Sequence, residues 1–127
     1  MLLKKTLSFA LFAQAVLAFS SPASAAGDPA RGANVFAEEC AECHSVQPGR
    51  NKKGPSLAGI ANRKAASIAD YTYSPAMMAS GIQWTLDRLD AYVTAPKKIV
   101  PGGKMKYDGL DDKPSREDLI SYLLTLH

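Results

Sequence analysis

Cys40-Ala41-Glu42-Cys43-His44 is the stretch that decides how this chain folds. C-x-x-C-H is the attachment signature of a c-type haem. Residues three and four apart on a helix share a face, so both thiols and the imidazole converge on one flat ligand. Each thiol can form a thioether with a haem vinyl group, and His44 then lies beside the iron. A neutral imidazole binds metal through one nitrogen while the other donates to a carbonyl that sets the ring. Three other readings compete. A Cys40–Cys43 disulfide leaves His44 without a task. A thioredoxin-type dithiol needs a βαβ context, which the sequence lacks. A zinc site needs four ligands, and only His44 and His127 accompany the two thiols.

The segments around the motif read as helices and loops. Asp28-Pro29 predicts an N-cap and first helical position, opening a helix over 29–39 with Val35 and Phe36 on its apolar side. Residues 45–53 are rich in Gly, Pro and charge and predict a loop, and Gly54-Pro55-Ser56 is a further break. Residues 57–64 predict a short helix, whereas 68–81 has no clean period. Thr85 caps a helix through 94, with Leu86, Leu89, Tyr92 and Val93 at three- and four-residue spacing. Ala95-Pro96 stops it, and Pro101-Gly102-Gly103 turns the chain. Ser115-Arg116-Glu117-Asp118 resembles a capping box with Asp at N3. It opens a last helix to about 126, with Leu119, Tyr122, Leu123 and Leu126 on one face. No segment alternates apolar and polar residues, so the expected class is all-α: three main helices, shorter ones and long loops. A small domain with so much loop buries little apolar surface and needs a staple or bound group. A covalent haem meets that need, which favours it over the other three readings.

The N-terminus carries its own message. Lys4 and Lys5 precede an apolar stretch over 7–19, then Ser20-Ser21-Pro22 and the small residues Ala23-Ser24-Ala25. That is the composition of a cleavable secretory signal over 1–25, leaving one domain over 26–127. The competing reading is an uncleaved N-terminal anchor. Export places the domain in an oxidising compartment, the periplasm in a bacterium. The 127-residue chain has a net charge of +3, and removing Lys4 and Lys5 lowers it to +1. Neither value, with Lys and Arg scattered along the chain, supports nucleic-acid binding. Two cysteines cannot build a disulfide scaffold.

A second axial ligand is open on residues alone. Met105, Met77, Met78, His127 and lysines are available, or the position stays free. Met105 follows Pro101-Gly102-Gly103-Lys104, a stiffened non-helical loop that can present a thioether. Met77 and Met78 are better read as core packing, and the terminal His127 as a fraying end.

Over nearly all of residues 26–127 the chain resembles the class I cytochromes c, close to the mitochondrial and related bacterial soluble proteins. Gly32 and Phe36, with Leu119 and Tyr122, resemble the residues where the family's terminal helices cross. Gly54-Pro55-Ser56-Leu57 resembles its G-P-x-L, and Gly81-Ile82-Gln83-Trp84 its G-I-x-W. Tyr92 through Met105, YVTAPKKIVPGGKM, resembles its most recognisable segment. The resemblance implies one covalently attached haem c, with Cys40 and Cys43 as attachment points and His44 as the proximal ligand. It implies Met105 as the distal ligand, Pro55 orienting His44, and Tyr92 in the haem crevice. It places Arg63, Tyr73 and Trp84 at the haem propionates. A His/Met pair closes both axial positions and raises the iron potential. The implied function is one-electron transfer without catalysis, in a monomer with at most transient contact with a membrane surface. Implied partners are a bc-type complex, a terminal oxidase, a photosynthetic reaction centre or a periplasmic dehydrogenase. The competing functional class is a haem subunit of a dedicated dehydrogenase, or a haem sensor or enzyme with a labile sixth ligand.

Three positions depart from the family pattern. Gly103 stands where many relatives have threonine, Met77 where many have asparagine, and the loop between His44 and Gly54 is one residue shorter than in vertebrate proteins. Loss of two polar groups predicts a drier crevice that favours the ferrous form. Lys52, Lys53, Lys97, Lys98, Lys104 and Lys106 fall around the implied haem edge. Asp108, Asp111, Asp112, Glu117 and Asp118 come later in the chain. The expected surface is dipolar, with a basic edge that steers the protein onto acidic partners.

Overall fold

A computed structural model describes residues 27–127; the export-signal reading lies outside the described residues. Among the described residues five helices follow one another: α1 Pro29–Glu39, α2 Pro75–Ala79, α3 Leu86–Thr94, α4 Pro96–Ile99 and α5 Lys113–Leu123. No strand forms among the described residues. An isolated antiparallel bridge joins Lys64 and Gln83. No described helix is long and apolar enough to cross a membrane.

The two terminal helices make the main helix–helix contact, and Gly32 is where they cross. A Cβ at Gly32 would lie 1.9 Å from the Asp118 carbonyl oxygen and 2.8 Å from Tyr122 Cβ. Only a residue without a side chain admits that approach. One turn on, Phe36 packs its ring 5.7 Å from that of Tyr122. Leu119 and Leu123 close the contact from α5 and are almost fully buried.

Asp28 caps α1 as expected, accepting from Ala30 N at 2.8 Å. Thr85 caps α3, accepting from Arg88 N at 3.4 Å. The α5 start differs from the capping-box expectation. Asp112 is the N-cap, accepting from Ser115 N at 2.9 Å, and the helix opens at Lys113. Pro114 fits the first turn, where a missing N–H costs nothing. Asp118 serves another purpose. It accepts from Asp28 N at 2.6 Å, from Arg31 Nε at 2.7 Å and from Arg31 Nη2 at 2.9 Å. This two-pronged pair ties the start of α1 to α5. Asp118 is therefore no part of an acidic outer surface.

Three further expectations change. Residues 57–64 form turns rather than a helix, because Gly59 and Asn62 both take φ near +61°. Left-handed residues end a helix rather than continue it. The backbone instead pairs across, from Asn62 N to Trp84 O at 2.8 Å and from Ala65 N to Ile82 O at 2.8 Å. The aperiodic stretch 68–81 contains α2, capped by Ser74, which accepts from Met77 N at 3.0 Å. Ala95-Pro96 ends α3, and Pro96 then opens α4 at once. On α3, Leu89 and Tyr92 turn inward while Leu86 is exposed.

Among the described residues eight hydrophobic side chains are buried: Phe36, Ile60, Trp84, Leu89, Tyr92, Val100, Leu119 and Leu123. Fully burying each large apolar side chain contributes about 1.5–3 kcal/mol. These side chains do not fill the interior. Six of them, all but Phe36 and Val100, also line a cavity of about 450 Å³.

Candidate haem site

The cavity gathers residues from across the chain. Cys40, Cys43 and His44 reach it from the turn after α1, and Met105 from the segment between α4 and α5. Pro55, Arg63, Tyr73, Trp84 and Tyr92 also line it. All nine residues expected to bind the cofactor or its iron thus share one space. Both cysteines are free thiols rather than a disulfide. Burial pushes the Cys40 thiol up to about 11.

The turn that carries the motif is fixed by its own backbone. Cys40 N donates to Phe36 O at 2.9 Å, and His44 N donates to Cys40 O at 2.9 Å. His44 Nδ1 donates to Pro55 O at 2.8 Å. That bond leaves Nε2 as the ring nitrogen with a lone pair. Burial lowers the His44 pKa and keeps the imidazole neutral, the form that binds metal. Gly54 packs flat against the ring. A Cβ there would lie 2.4 Å from His44 Cε1 and 2.8 Å from Nδ1.

Arg63 lies half-buried on the wall. It donates to Ala58 O at 2.6 Å and to Ser56 O at 2.9 Å, and pairs with no carboxylate among the described residues. Burial lowers its pKa. A partly desolvated cation of this kind fits a ligand that brings its own anion. Tyr73 accepts from Ile68 N at 3.3 Å and stands edge-on to Tyr71 at 4.8 Å. Trp84 and Tyr92 pack together at 4.9 Å, and burial pushes the Tyr92 phenol up to about 12. The walls are mostly apolar, with two thiols, an imidazole and a thioether as soft or nitrogen donors. Such a donor set suits an iron porphyrin.

Met77 is half-buried and lines the cavity, with the Ser80 hydroxyl 3.9 Å from its sulfur. Met78 is 60% exposed, so the core-packing expectation fails for it. α2 has five residues, of which Ala76 and Met77 are half-buried while Pro75, Met78 and Ala79 are exposed.

The rim differs from a uniformly basic edge. Lys53, Lys104 and Lys106 line the mouth, with Lys64 in addition, whereas Lys52, Lys97 and Lys98 lie away from it. Glu38, Glu39 and Glu42 line the same cavity. Lys53 pairs with Glu42 at 2.6 Å and Lys97 with Asp108 at 2.6 Å. Lys104 donates to Thr72 O at 2.6 Å and lies 4.9 Å over the Tyr71 ring. The acidic and basic groups therefore interleave.

Sequence reasoning left out Tyr107 and Glu39, which both line the cavity and are joined at 2.6 Å by the phenol donating to the carboxylate. Burial, with the Glu39 carboxylate alongside, raises the Tyr107 pKa. No spacing rule links two residues 68 positions apart. Leu119 and Leu123 were expected only as helix packing, yet they also line the cavity.

Comparison with known proteins bears on this site. The family model described as cytochrome c matches residues 29–127. A cytochrome c2 of Rhodopila globiformis is 48% identical over 100 residues, covering 79% of this chain and 94% of the relative. A cytochrome c of Gibberella zeae is 46% identical over 100 residues, covering 78% and 94%. A cytochrome c2 of Rhodoblastus acidophilus is 46% identical over 99 residues, covering 77% and 92%. The match extends over all five helices and over every wall of the cavity. The chain belongs to the cytochrome c family: it is a class I c-type cytochrome, an electron-transfer protein with one covalently attached haem c.

Proposed function

We propose that Cys40 and Cys43 would anchor the haem through thioethers, and that His44 Nε2 and Met105 Sδ would hold its iron. The observation that carries this reading is the shared cavity. It brings these four residues together while the Pro55 carbonyl already holds His44 Nδ1 at 2.8 Å. When bound, the haem supplies a ferric–ferrous one-electron couple.

The chain's own residues set how that couple behaves. His44 is held in one tautomer and orientation by Pro55 and Gly54, so it need not move as the charge changes. Trp84, Leu89, Tyr92, Leu119 and Leu123 exclude water from the cavity wall. A rigid, dry site lowers the rearrangement that accompanies each electron. Arg63, Tyr73 and Trp84 line the cavity and would receive the propionates, with Arg63 as the cation that would balance them.

We further infer that residues 1–25 direct export and are removed, and that 26–127 works in a bacterial periplasm as a diffusible carrier. Its donors and acceptors are drawn from a bc-type complex, a terminal oxidase, a photosynthetic reaction centre or a periplasmic dehydrogenase. The likeness to two bacterial proteins named cytochrome c2 supports this setting.

Two measurements test the proposal. Protein from a periplasmic extract should begin at Ala26 and exceed its polypeptide mass by one haem; an unmodified mass with two free thiols overturns the attachment. The ferric protein should show the weak red band of a sulfur–iron bond. Met105→Ala should abolish that band and admit carbon monoxide to the reduced protein, while Met77→Leu should keep the band. Ready carbon monoxide binding by the unaltered protein overturns the closed axial site.

A further inference from the structure

We propose that Tyr107 and Glu39 form a latch that holds the Met105 segment closed over the cavity. The inference rests on Met105 as the distal ligand.

The segment from Gly103 to Leu110 is irregular throughout. Among the described residues its backbone donates at its two ends only: Gly103 N to Val100 O at 3.1 Å, and Leu110 N to Val93 O at 3.0 Å. Residues 104–109 take no part in backbone pairing, so side chains must hold them. Three ties do so. Lys97–Asp108 joins two side chains 65% and 93% exposed, and pairs of that kind contribute little. Lys104 to the Thr72 carbonyl joins a flexible, exposed lysine to another loop.

The third tie is of a different kind. Tyr107 is half-buried, and its hydroxyl donates at 2.6 Å to the carboxylate of Glu39, which is itself exposed. A bond from a phenol to an ionised acceptor is short and roughly twice as strong as a neutral one. Glu39 is the last residue of α1 and immediately precedes Cys40. Tyr107 lies two positions beyond Met105. The latch therefore joins the segment bearing the thioether to the helix bearing the attachment motif, across the cavity that both residues line. Tyr107 is a positioning residue: it acts on the iron through the placement of Met105.

The test uses the haem-loaded full protein with imidazole as the probe. Imidazole reaches the ferric iron only after the Met105 segment opens, so its binding rate reads opening. Tyr107→Phe and Glu39→Ala should each raise that rate about five- to tenfold, the upper range of an ordinary net hydrogen bond, because the Glu39 end is exposed. The double variant should be no faster than either single one. Glu39→Gln keeps an acceptor oxygen without the charge and should raise the rate less, about two- to threefold. Amide hydrogen exchange at Gly103 and Leu110, the bonded ends of the segment, should rise with the imidazole rate, while α5 stays unchanged.

An unchanged rate and unchanged exchange in Tyr107→Phe would overturn the latch. So would effects of the two single variants that multiply in the double. Failure of the Met105 assignment looks different: the red band is then missing from the unaltered ferric protein. Exchange at Gly103 and Leu110 still reports the latch in that case.

Discussion

The Pro55 carbonyl accepts the Nδ1–H of His44 at 2.8 Å, across eleven residues of chain. Gly54, the residue before that proline, leaves the imidazole no room to turn. The two neighbours thus hold one ring by opposite means, a hydrogen bond and a missing side chain.

Gly54→Ala puts a methyl group 2.4 Å from His44 Cε1. Something must shift, and the ring is what stands in the way. Overpacking of this kind costs about 1–3 kcal/mol. Lower thermal stability and an altered ferric spectrum are expected together. A variant with the original spectrum and melting temperature would show that the ring has other room.

Gly32→Ala should be more damaging to folding than to electron transfer. Its Cβ would meet the Asp118 carbonyl oxygen at 1.9 Å, a backbone atom that cannot rotate away. The terminal helices must separate, with a loss of about 1–3 kcal/mol or more. Denaturant midpoints measure the loss, while the haem spectrum of the folded fraction should persist.

Asp118 makes acid sensitivity specific. Its hydrogen bonds to Arg31, and then to the Asp28 amide, hold the carboxyl below the usual carboxylate range. A lowered folded pKa stabilises the protein above the unfolded value and loses that effect as pH falls through the folded one. Asp118→Asn should therefore be less stable than the unaltered protein at pH 7, and the gap should narrow below about pH 4. Urea midpoints across that range check it, and a gap that widens on acidification would contradict the assignment.

The interleaved rim predicts uneven effects among the lysines. Lys104 and Lys106 line the cavity, whereas Lys97 lies away from it and is paired with Asp108. With an anionic metal complex as oxidant at low ionic strength, Lys104→Glu and Lys106→Glu should slow oxidation about two- to tenfold. Lys97→Glu should change it little. Equal slowing by all three would restore a uniformly basic edge.

Much of this was legible because it is local. The spacing of Cys40, Cys43 and His44 lies within one turn and needs no partner to be read. Asp28 and Thr85 cap their helices at the expected positions, since capping involves only the next three residues. The resemblance to a known family placed Pro55, Arg63 and Met105, which no local pattern could have joined. α2 was missed because its five residues are too few to show a period. The turns over 57–64 read as helix because the left-handed conformation of Asn62 leaves no mark in composition. Asp118 read as a capping residue because its true partners lie about ninety positions earlier.

The sequence by itself determined the attachment motif, the all-α class and the need for a bound group, since each follows from spacing or from the shortage of core. Tertiary structure alone decided which charges are free, which are locked, and how the Met105 segment is held. Asp118 against Arg31, Lys53 against Glu42 and Tyr107 against Glu39 are meetings of distant residues. A hydrogen bond depends on ångströms, and sequence separation does not determine distance once the chain has folded.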